Sequence, residues 1–333
     1  MTNSPRNLFD YRVIIVTGKG GTGKTTVATS LADAARRAGR RVALVETAPI
    51  EAIAPCFDAE APELGYTGRM LRPDLFAMRL EPTAALAEYL GLQIKLRSLA
   101  ERVIRTETFE QLLEAVPGWR ELITLGKIWH LEQQTEKNGR PLYDVVIVDA
   151  PATGHGMTFL DVPRVAQQAV RGGPLRRHSG WVEELVHDRD RTLLLPVTLP
   201  EELPVSETIE LVARARDQIE IGIDRIVVNA MPADTQKRWM PVLADVPDDL
   251  GFEKLPPVEA MREMLSHLER RDELAVAQRA RVSEECALPI VDLPFVLEPS
   301  CRKRAASPVS EALMGAPVWP AGSRHADRGA SRR

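Results

Sequence analysis

Gly18-Lys19-Gly20-Gly21-Thr22-Gly23-Lys24-Thr25-Thr26 is the stretch that decides the fold of this 333-residue chain. It follows an apolar run, 12–17, that is typical of a buried parallel strand, and it precedes residues 27–38, whose pattern predicts a helix. The stretch matches G-x-x-x-x-G-K-[ST], which binds phosphate when it lies between a strand and a helix. We therefore expect its backbone N–H groups to surround phosphate oxygens.

The motif also predicts roles for single side chains. Lys24 is expected to reach the β- and γ-phosphates of a nucleotide, and the Thr25 hydroxyl to ligate Mg²⁺. Asp149 ends a second apolar run, 144–149, at the edge of the sheet where α/β proteins bind ligands. An acid at that place is suited to hold the same Mg²⁺, so Thr25 and Asp149 are the predicted metal-binding pair.

Strands and helices alternate along the remaining sequence. Further strands are predicted at 41–47, 75–80, 144–149, 192–199, 225–229 and 288–295. Helical regions are predicted at 82–137 (broken near Pro117-Gly118), 158–190 (interrupted at 172–174), 205–220, 234–246 and 257–285. Residues 51–73 are expected to form a loop, and the basic stretch 299–333 a disordered tail.

This order predicts an α/β fold in which a mostly parallel sheet is covered by helices on both faces. We expect one domain over residues 1–298, with a helical insertion at about 82–138, and no domain in the tail.

Composition narrows the classes of function. The chain is 44% hydrophobic and 27% charged, as in ordinary soluble proteins. It has no apolar run near the roughly 20 residues that span a bilayer, and no signal-peptide pattern, so we expect a cytoplasmic protein, with peripheral attachment to the inner membrane face left open. The net charge of −4 argues against nucleic-acid binding. Cys56, Cys286 and Cys301 are too widely spaced for a disulfide framework or a zinc site.

Lys19 narrows the class of protein further. A second lysine at this place resembles the "deviant" phosphate loop of the nitrogenase iron protein, MinD/ParA and arsenite-pump (ArsA-type) ATPases. Residues 149–155, Asp-Ala-Pro-Ala-Thr-Gly-His, resemble the D-T-A-P-T-G-H of the ArsA-type family, and 198–211 are similar to the family's segment after the next strand. The first of these segments is the family's switch II loop, in which His155 is either a γ-phosphate sensor or an ordinary loop residue.

The resemblance implies the cofactors, partners and further site residues. Its cofactors are ATP and Mg²⁺. The strand-end Asn229 matches the asparagine that binds adenine, and Phe295 falls where the family closes over the base. The complete set expected to bind ATP is therefore Gly18, Lys19, Gly20, Gly21, Thr22, Gly23, Lys24, Thr25, Thr26, Asn229 and Phe295.

The resemblance also implies a dimer that opens and closes around two nucleotides and acts on a cargo or a membrane partner. Lys19 crosses to the partner's nucleotide, which makes Lys19, Lys24 and Asp149 candidate catalytic residues. Whether the two chains are identical or one is a paralogous subunit stays open.

The second strand departs from the family pattern. The family ends this strand with S-T-D-P-A, whose aspartate orients the attacking water, whereas residues 46–50 read Glu-Thr-Ala-Pro-Ile. Ala48 cannot accept a proton. Three interpretations stay open. Glu46 substitutes for the aspartate, or Glu51 does. Alternatively, the chain binds ATP and hydrolyses it slowly, acting as a switch or as the silent half of a heterodimer. We favour slow or partner-dependent hydrolysis and retain Glu46 as a candidate catalytic residue.

Other functions are weighed against this one. A MinD/ParA-type positioning ATPase and a non-hydrolysing ATP-sensing subunit remain alternatives. An iron-protein-like electron donor is excluded, because no cysteine lies between Cys56 and Cys286 to hold a cluster. The absence of clustered cysteines argues against metalloid transport, and the absence of methionine from 82–137 and 160–190 gives no support for a groove that binds membrane anchors.

Overall fold

A single β-sheet positions the predicted phosphate loop. The computed structural model describes residues 6–58, 61–94, 118–169, 172–232, 241–242, 246, 257–296, 309 and 313. This part of the chain forms an eight-stranded sheet in the order β3-β4-β2-β5-β1-β6-β7-β8. The strands are β1 (Val13–Thr17), β2 (Val42–Glu46), β3 (Arg69–Arg72), β4 (Leu75–Arg79), β5 (Val145–Asp149), β6 (Thr192–Thr198), β7 (Ile226–Met231) and β8 (Ile290–Pro294). All neighbouring pairs are parallel except β3–β4.

Helices pack on both faces of this sheet. They are α1 (Lys24–Arg37), α2 (Ile53–Phe57), α3 (Pro82–Ile94), α4 (Trp119–Gln133), α5 (Thr153–Ala169), α6 (Pro174–His187), α7 (Glu202–Arg214) and α8 (Val258–Cys286). The chain is thus an α/β protein with the phosphate-loop NTPase architecture, and α3 and α4 are inserted between β4 and β5.

Strand β1 is buried on both sides, which explains its unbroken apolar sequence. Ile14 and Val16 join the core formed with α1 and α2, whereas Val13 and Ile15 join the core formed with α4, α5 and α6. Every residue of β1, β2 and β5 is buried. Because each successive side chain points to the opposite face, a strand covered on both faces has apolar residues at consecutive positions.

All seven strands expected from the sequence are present, with small differences at their ends. The expectation of a loop over 51–73 is wrong, because this stretch contains α2 and β3. Strand β3 pairs antiparallel with β4 at the edge of the sheet through an irregular register. Its residues Arg69, Met70 and Arg72 are not buried, so the sequence carries no apolar alternation that would reveal it.

The expectation of a disordered tail is wrong at two positions. Val309 and Leu313, four residues apart, are 2% and 4% exposed and belong to the core on the α1 side of the sheet. Two apolar residues among Pro, Gly and Ser are too short a pattern to predict this packing.

Several expectations lie outside the described residues: the break at Pro117, the helix 234–246 apart from 241–242 and 246, and the tail apart from Val309 and Leu313. Among the helices that the structure does describe, none combines the length and apolar character that a membrane crossing requires.

Candidate nucleotide site

The predicted phosphate loop lies at the carboxyl end of the central strand β1 and leads into α1. Gly18 has φ +148°, and a Cβ there would lie 2.1 Å from the carbonyl oxygen of Val197 on β6. Gly23 has φ +87°, and a Cβ there would lie 2.3 Å from Asn229 Nδ2. At Gly18 both the backbone angle and the fixed carbonyl of Val197 exclude a side chain. At Gly23 the backbone angle disfavours one, and the amide end of Asn229 would have to move to admit it.

The loop is closed by contacts to one carbonyl oxygen, that of Lys19. Thr22 Oγ1 donates to it at 2.9 Å, and Lys24 Nζ donates to it at 3.0 Å. Burial lowers the pKa of Lys24, and the negative charge of Asp149 opposes this shift. Lys24 therefore lies within the loop, where a phosphate could replace the carbonyl as its partner. Thr26 follows in the first turn of α1.

The two residues expected to bind Mg²⁺ are in direct contact. Thr25 Oγ1 donates to Asp149 Oδ2 at 2.6 Å, across 124 positions of sequence. Asp149 is 4% exposed, and its other oxygen, Oδ1, is buried without a hydrogen-bond partner in the described structure. Burial raises the pKa of Asp149, while Thr25 and Lys24 oppose the shift. A buried carboxylate oxygen lacking a partner, beside a hydroxyl, is a donor set that suits a hard cation such as Mg²⁺.

Asn229 lies against the loop, on β7, and Phe295 follows the next strand of the sheet, β8. Asn229 Nδ2, on β7, donates to the carbonyl oxygen of Thr22 at 2.9 Å. Phe295 follows β8, and its backbone N–H donates to Met231 O at 2.8 Å. The Phe295 ring is 44% exposed, with the guanidinium of Arg271 5.9 Å from its centre. An exposed aromatic ring of this kind can pack against a flat base.

Comparison with known proteins shows which family this sequence resembles. The family model for the anion-transporting ATPase family (ArsA) matches residues 11–172. The chain belongs to the ArsA-type ATPase family. ATPase BagA of Mycobacterium tuberculosis is 36% identical over 230 residues, which are 68% of this chain and 66% of that protein. The chain therefore aligns with just under two thirds of the length of this relative.

More distant members align over more of their length. ATPase GET3 of Phaeosphaeria nodorum is 25% identical over 298 residues, which cover 74% of this chain and 88% of that protein. The ATPase ASNA1 homolog of Dictyostelium discoideum is 24% identical over 301 residues, or 74% of this chain and 84% of the other.

Glu46 of this ArsA-type chain lies deep beside Asp149. The two residues are opposite each other in the register of β2 and β5. Glu46 is 0% exposed, and its Oε1 accepts hydrogen bonds from the N–H groups of Ala52 (2.5 Å) and Ile53 (3.3 Å) at the start of α2. Its Oε2 is buried and, within the described structure, has no partner. Burial raises the pKa of Glu46 to about 7.

Glu51, the other acid considered as a replacement for the family's aspartate, has a different partner. Its Oε2 accepts a hydrogen bond from the N–H of Leu64 at 2.8 Å. Ala48, where the resemblance expects the aspartate, lines an open cleft with Thr47, Pro49 and Arg79. Each glutamate thus accepts hydrogen bonds from backbone N–H groups through one of its two oxygens.

Lys19 has a partner that the motif did not predict. Its ammonium group forms an ion pair with the carboxylate of Glu207 on α7. Glu207 lies within 198–211, which resembles the family, but nothing in its spacing marks it as part of the site. The contact joins residues 188 positions apart, so only the folded chain reveals it.

The second half of the predicted switch II loop is helical in the structure. Residues 153–156 begin α5, so Gly154 and Gly156 lie in a helix. The side chain of His155 lies outside the part of the structure that is described, and its role as a phosphate sensor stays a prediction.

Proposed function

We propose that this chain is a Mg²⁺-dependent ATP-binding ATPase that acts as a dimer and hydrolyses ATP slowly or only with a partner. The hydrogen bond between Thr25 and Asp149 carries the proposal. It places a hydroxyl from the phosphate loop and a buried carboxylate at one point, beside Lys24, as binding of a metal–triphosphate complex requires.

Each residue of the site then has a role. The backbone N–H groups of residues 18–23 and the dipole of α1 bind the phosphate oxygens, and Lys24 neutralises their charge. Thr25 and Asp149 would hold Mg²⁺, which when bound offsets the charge of the phosphates. Asn229 and Phe295 are proposed to bind the adenine base, because an amide can both donate to and accept from a base edge.

Slow hydrolysis follows from the departure at Ala48. Loss of one positioned group that orients water typically lowers a rate by orders of magnitude. Glu46 could replace it only by giving up its bonds to Ala52 and Ile53 or by using its second oxygen. The same observation favours the second candidate function, a non-hydrolysing ATP-sensing subunit paired with an active paralogue.

The proposed partners are ATP, a second copy of the chain or a paralogous subunit, and a cargo or membrane protein whose identity the site does not specify. Nucleic acid is not among them. In the dimer, Lys19 of each chain would contact the nucleotide of the other, adding positive charge as the phosphoryl group is transferred.

Calorimetry with Mg-ATP tests the binding function. The wild-type chain should take up the nucleotide, and Lys24→Ala should weaken binding at least tenfold, because a charge-assisted contact to phosphate is lost. Lys137→Ala is the control, since Lys137 is an exposed lysine outside the site. Failure of the wild type to bind Mg-nucleotide, alone or with its natural partners, refutes the proposal.

Single-turnover hydrolysis tests the proposed mechanism. We expect a slow reaction that a partner subunit accelerates, and Glu46→Gln should slow it further if Glu46 acts on the water. A rate typical of an active ATPase that is unaffected by Glu46→Gln would remove both interpretations. ATP-dependent cosedimentation with liposomes or DNA would instead indicate a MinD/ParA-type positioning function.

A further inference from the structure

The ion pair between Lys19 and Glu207 raises a question about assembly. Lys19 is the residue that is proposed to act on the nucleotide of a second chain, yet here its ammonium group is bound within its own chain. The two side chains are 31% and 33% exposed, so the pair lies at the surface of the subunit, where another chain or a phosphate can reach it.

Glu207 is held in place by a helix that cannot easily move. Its neighbours Val205, Thr208 and Leu211 are 0%, 1% and 3% exposed and fasten α7 to the protein. The adjacent Ser206 Oγ donates to Glu202 O at 2.9 Å and accepts from Arg281 of α8 at 3.0 Å. The backbone of Glu207 is therefore fixed, and its carboxylate can follow Lys19 only as far as its own side-chain rotamers reach.

The backbone of Lys19 is also fixed, which leaves its side chain as the part that can turn. The carbonyl oxygen of Lys19 accepts the bonds from Thr22 and Lys24 that close the loop. Gly18 lies against Val197 of β6, the strand that leads into α7. Strand β6 thus holds both the phosphate loop and the start of α7, and the Lys19 side chain bridges the loop and α7.

We propose that Glu207 is a positioning residue that holds Lys19 in its own subunit until a second chain with bound nucleotide competes for it. The inference rests on the proposed function, because it needs a dimer in which Lys19 crosses the interface. A triphosphate carries more negative charge than one carboxylate and attracts the ammonium group more strongly. Glu207 is partly exposed, so water solvates it after the lysine leaves, and the exchange is reversible.

Two such pairs must break in each symmetric dimer, so the free-energy cost doubles and the factor in the assembly equilibrium is squared. A partly exposed ion pair typically changes an equilibrium about two- to fivefold. Removing both carboxylates should therefore tighten nucleotide-dependent dimerisation about four- to twenty-five-fold.

The test compares Glu207→Gln with Glu210→Gln. Both remove one negative charge from α7, but Glu210 is exposed and is not the partner of Lys19. Dimer dissociation constants would be measured by analytical ultracentrifugation with Mg²⁺ and a non-hydrolysable ATP analogue, and nucleotide uptake by calorimetry. We expect Glu207→Gln to lower the dissociation constant about four- to twenty-five-fold, and Glu210→Gln to leave it near the wild-type value.

A second measurement needs no nucleotide. Acylation of Lys19 by an amine-reactive reagent, followed by mass spectrometry, should be about two- to fivefold faster in Glu207→Gln than in wild type and unchanged in Glu210→Gln. Matching urea midpoints of wild type, Glu207→Gln and Glu210→Gln would establish that folding is intact. Glu207→Ala, which also removes the charge, takes the place of Glu207→Gln if that variant fails to fold. Glu207→Asp keeps the charge and should restore slow acylation at least in part.

The outcomes separate the two proposals. Normal nucleotide uptake with equal dissociation constants in all variants overturns the role of Glu207 and leaves the ATPase proposal standing. Equal acylation rates of Lys19 in wild type and Glu207→Gln also overturn it. No nucleotide uptake by the wild type overturns the proposed function, and the role of Glu207 in assembly with it.

Discussion

Glu46→Gln should change how the stability of this protein depends on pH. Glu46 is 0% exposed, and burial raises its pKa from 4.5 to about 7, with the negative charges of Asp149 and Glu51 adding to the shift. Hydrogen bonds from the N–H groups of Ala52 and Ile53 oppose it but do not cancel it. A neutral glutamine keeps a carbonyl oxygen for these bonds and cannot be ionised.

The sign follows from which state holds the proton. Between about pH 4.5 and 7 the folded chain keeps a proton on Glu46 that the unfolded chain has released, so stability falls as pH rises. This stabilising contribution is complete below the unfolded pKa and is lost as pH passes the folded one. The folded and unfolded pKa values differ by about 2.5, and each pKa unit corresponds to about 1.4 kcal/mol, so the full contribution is about 3–4 kcal/mol.

Urea unfolding without nucleotide, at pH values between about 4.5 and 8, measures the effect. The free energy of unfolding of Glu46→Gln relative to wild type should rise by about 3 kcal/mol over this range. Glu210→Gln, which removes an exposed carboxylate, is the control for a general charge effect. If the free energies of unfolding of wild type and Glu46→Gln change with pH in parallel, burial of ionised Glu46 does not destabilise the folded protein at neutral pH, and the reasoning is refuted.

Three further substitutions test the packing around the site, each by urea unfolding. Thr25→Val should destabilise the protein by about 1–3 kcal/mol, because the buried Asp149 loses its hydroxyl donor. Gly18→Ala should cost about 3 kcal/mol or more, since strain at φ +148° adds to overlap with Val197 O. Leu313→Ala should cost about 2–5 kcal/mol, because Leu313 is 4% exposed within the core.

Matched controls make these results specific. Gly39 also has a positive φ, +79°, but open space at Cβ, so Gly39→Ala should cost only about 1–2 kcal/mol. Leu274 is 64% exposed, so Leu274→Ala should change stability by less than about 0.5 kcal/mol. Equal losses within either pair would contradict the packing described above, as would a Thr25→Val variant as stable as wild type.

The phosphate loop and the parallel sheet were predictable because their causes are local. Glycines with positive φ, a lysine and a threonine at set spacing encode the turn itself, and strands buried on both faces are apolar at consecutive positions. Asp149 was predictable for a related reason: it ends such a strand, and the carboxyl ends of parallel strands share one edge.

The edge strand β3 and the packing of Val309 and Leu313 were not predictable. β3 is partly exposed and held by backbone bonds to β4, which leave no mark on side-chain pattern. Val309 and Leu313 pack into the core on the α1 side of the sheet. Two apolar residues in the sequence do not show that the folded core has room for them.

The sequence by itself determined the phosphate-loop motif and seven of the described strands, and it predicted that Ala48 stands where the family has an aspartate. Tertiary structure alone decided what three charged side chains do: Asp149 accepts from Thr25, Glu46 binds the start of α2, and Lys19 pairs with Glu207. The physical reason is that strength of a hydrogen bond or ion pair depends on distance and burial. Both are set by how strands and helices pack, between residues that the sequence leaves far apart.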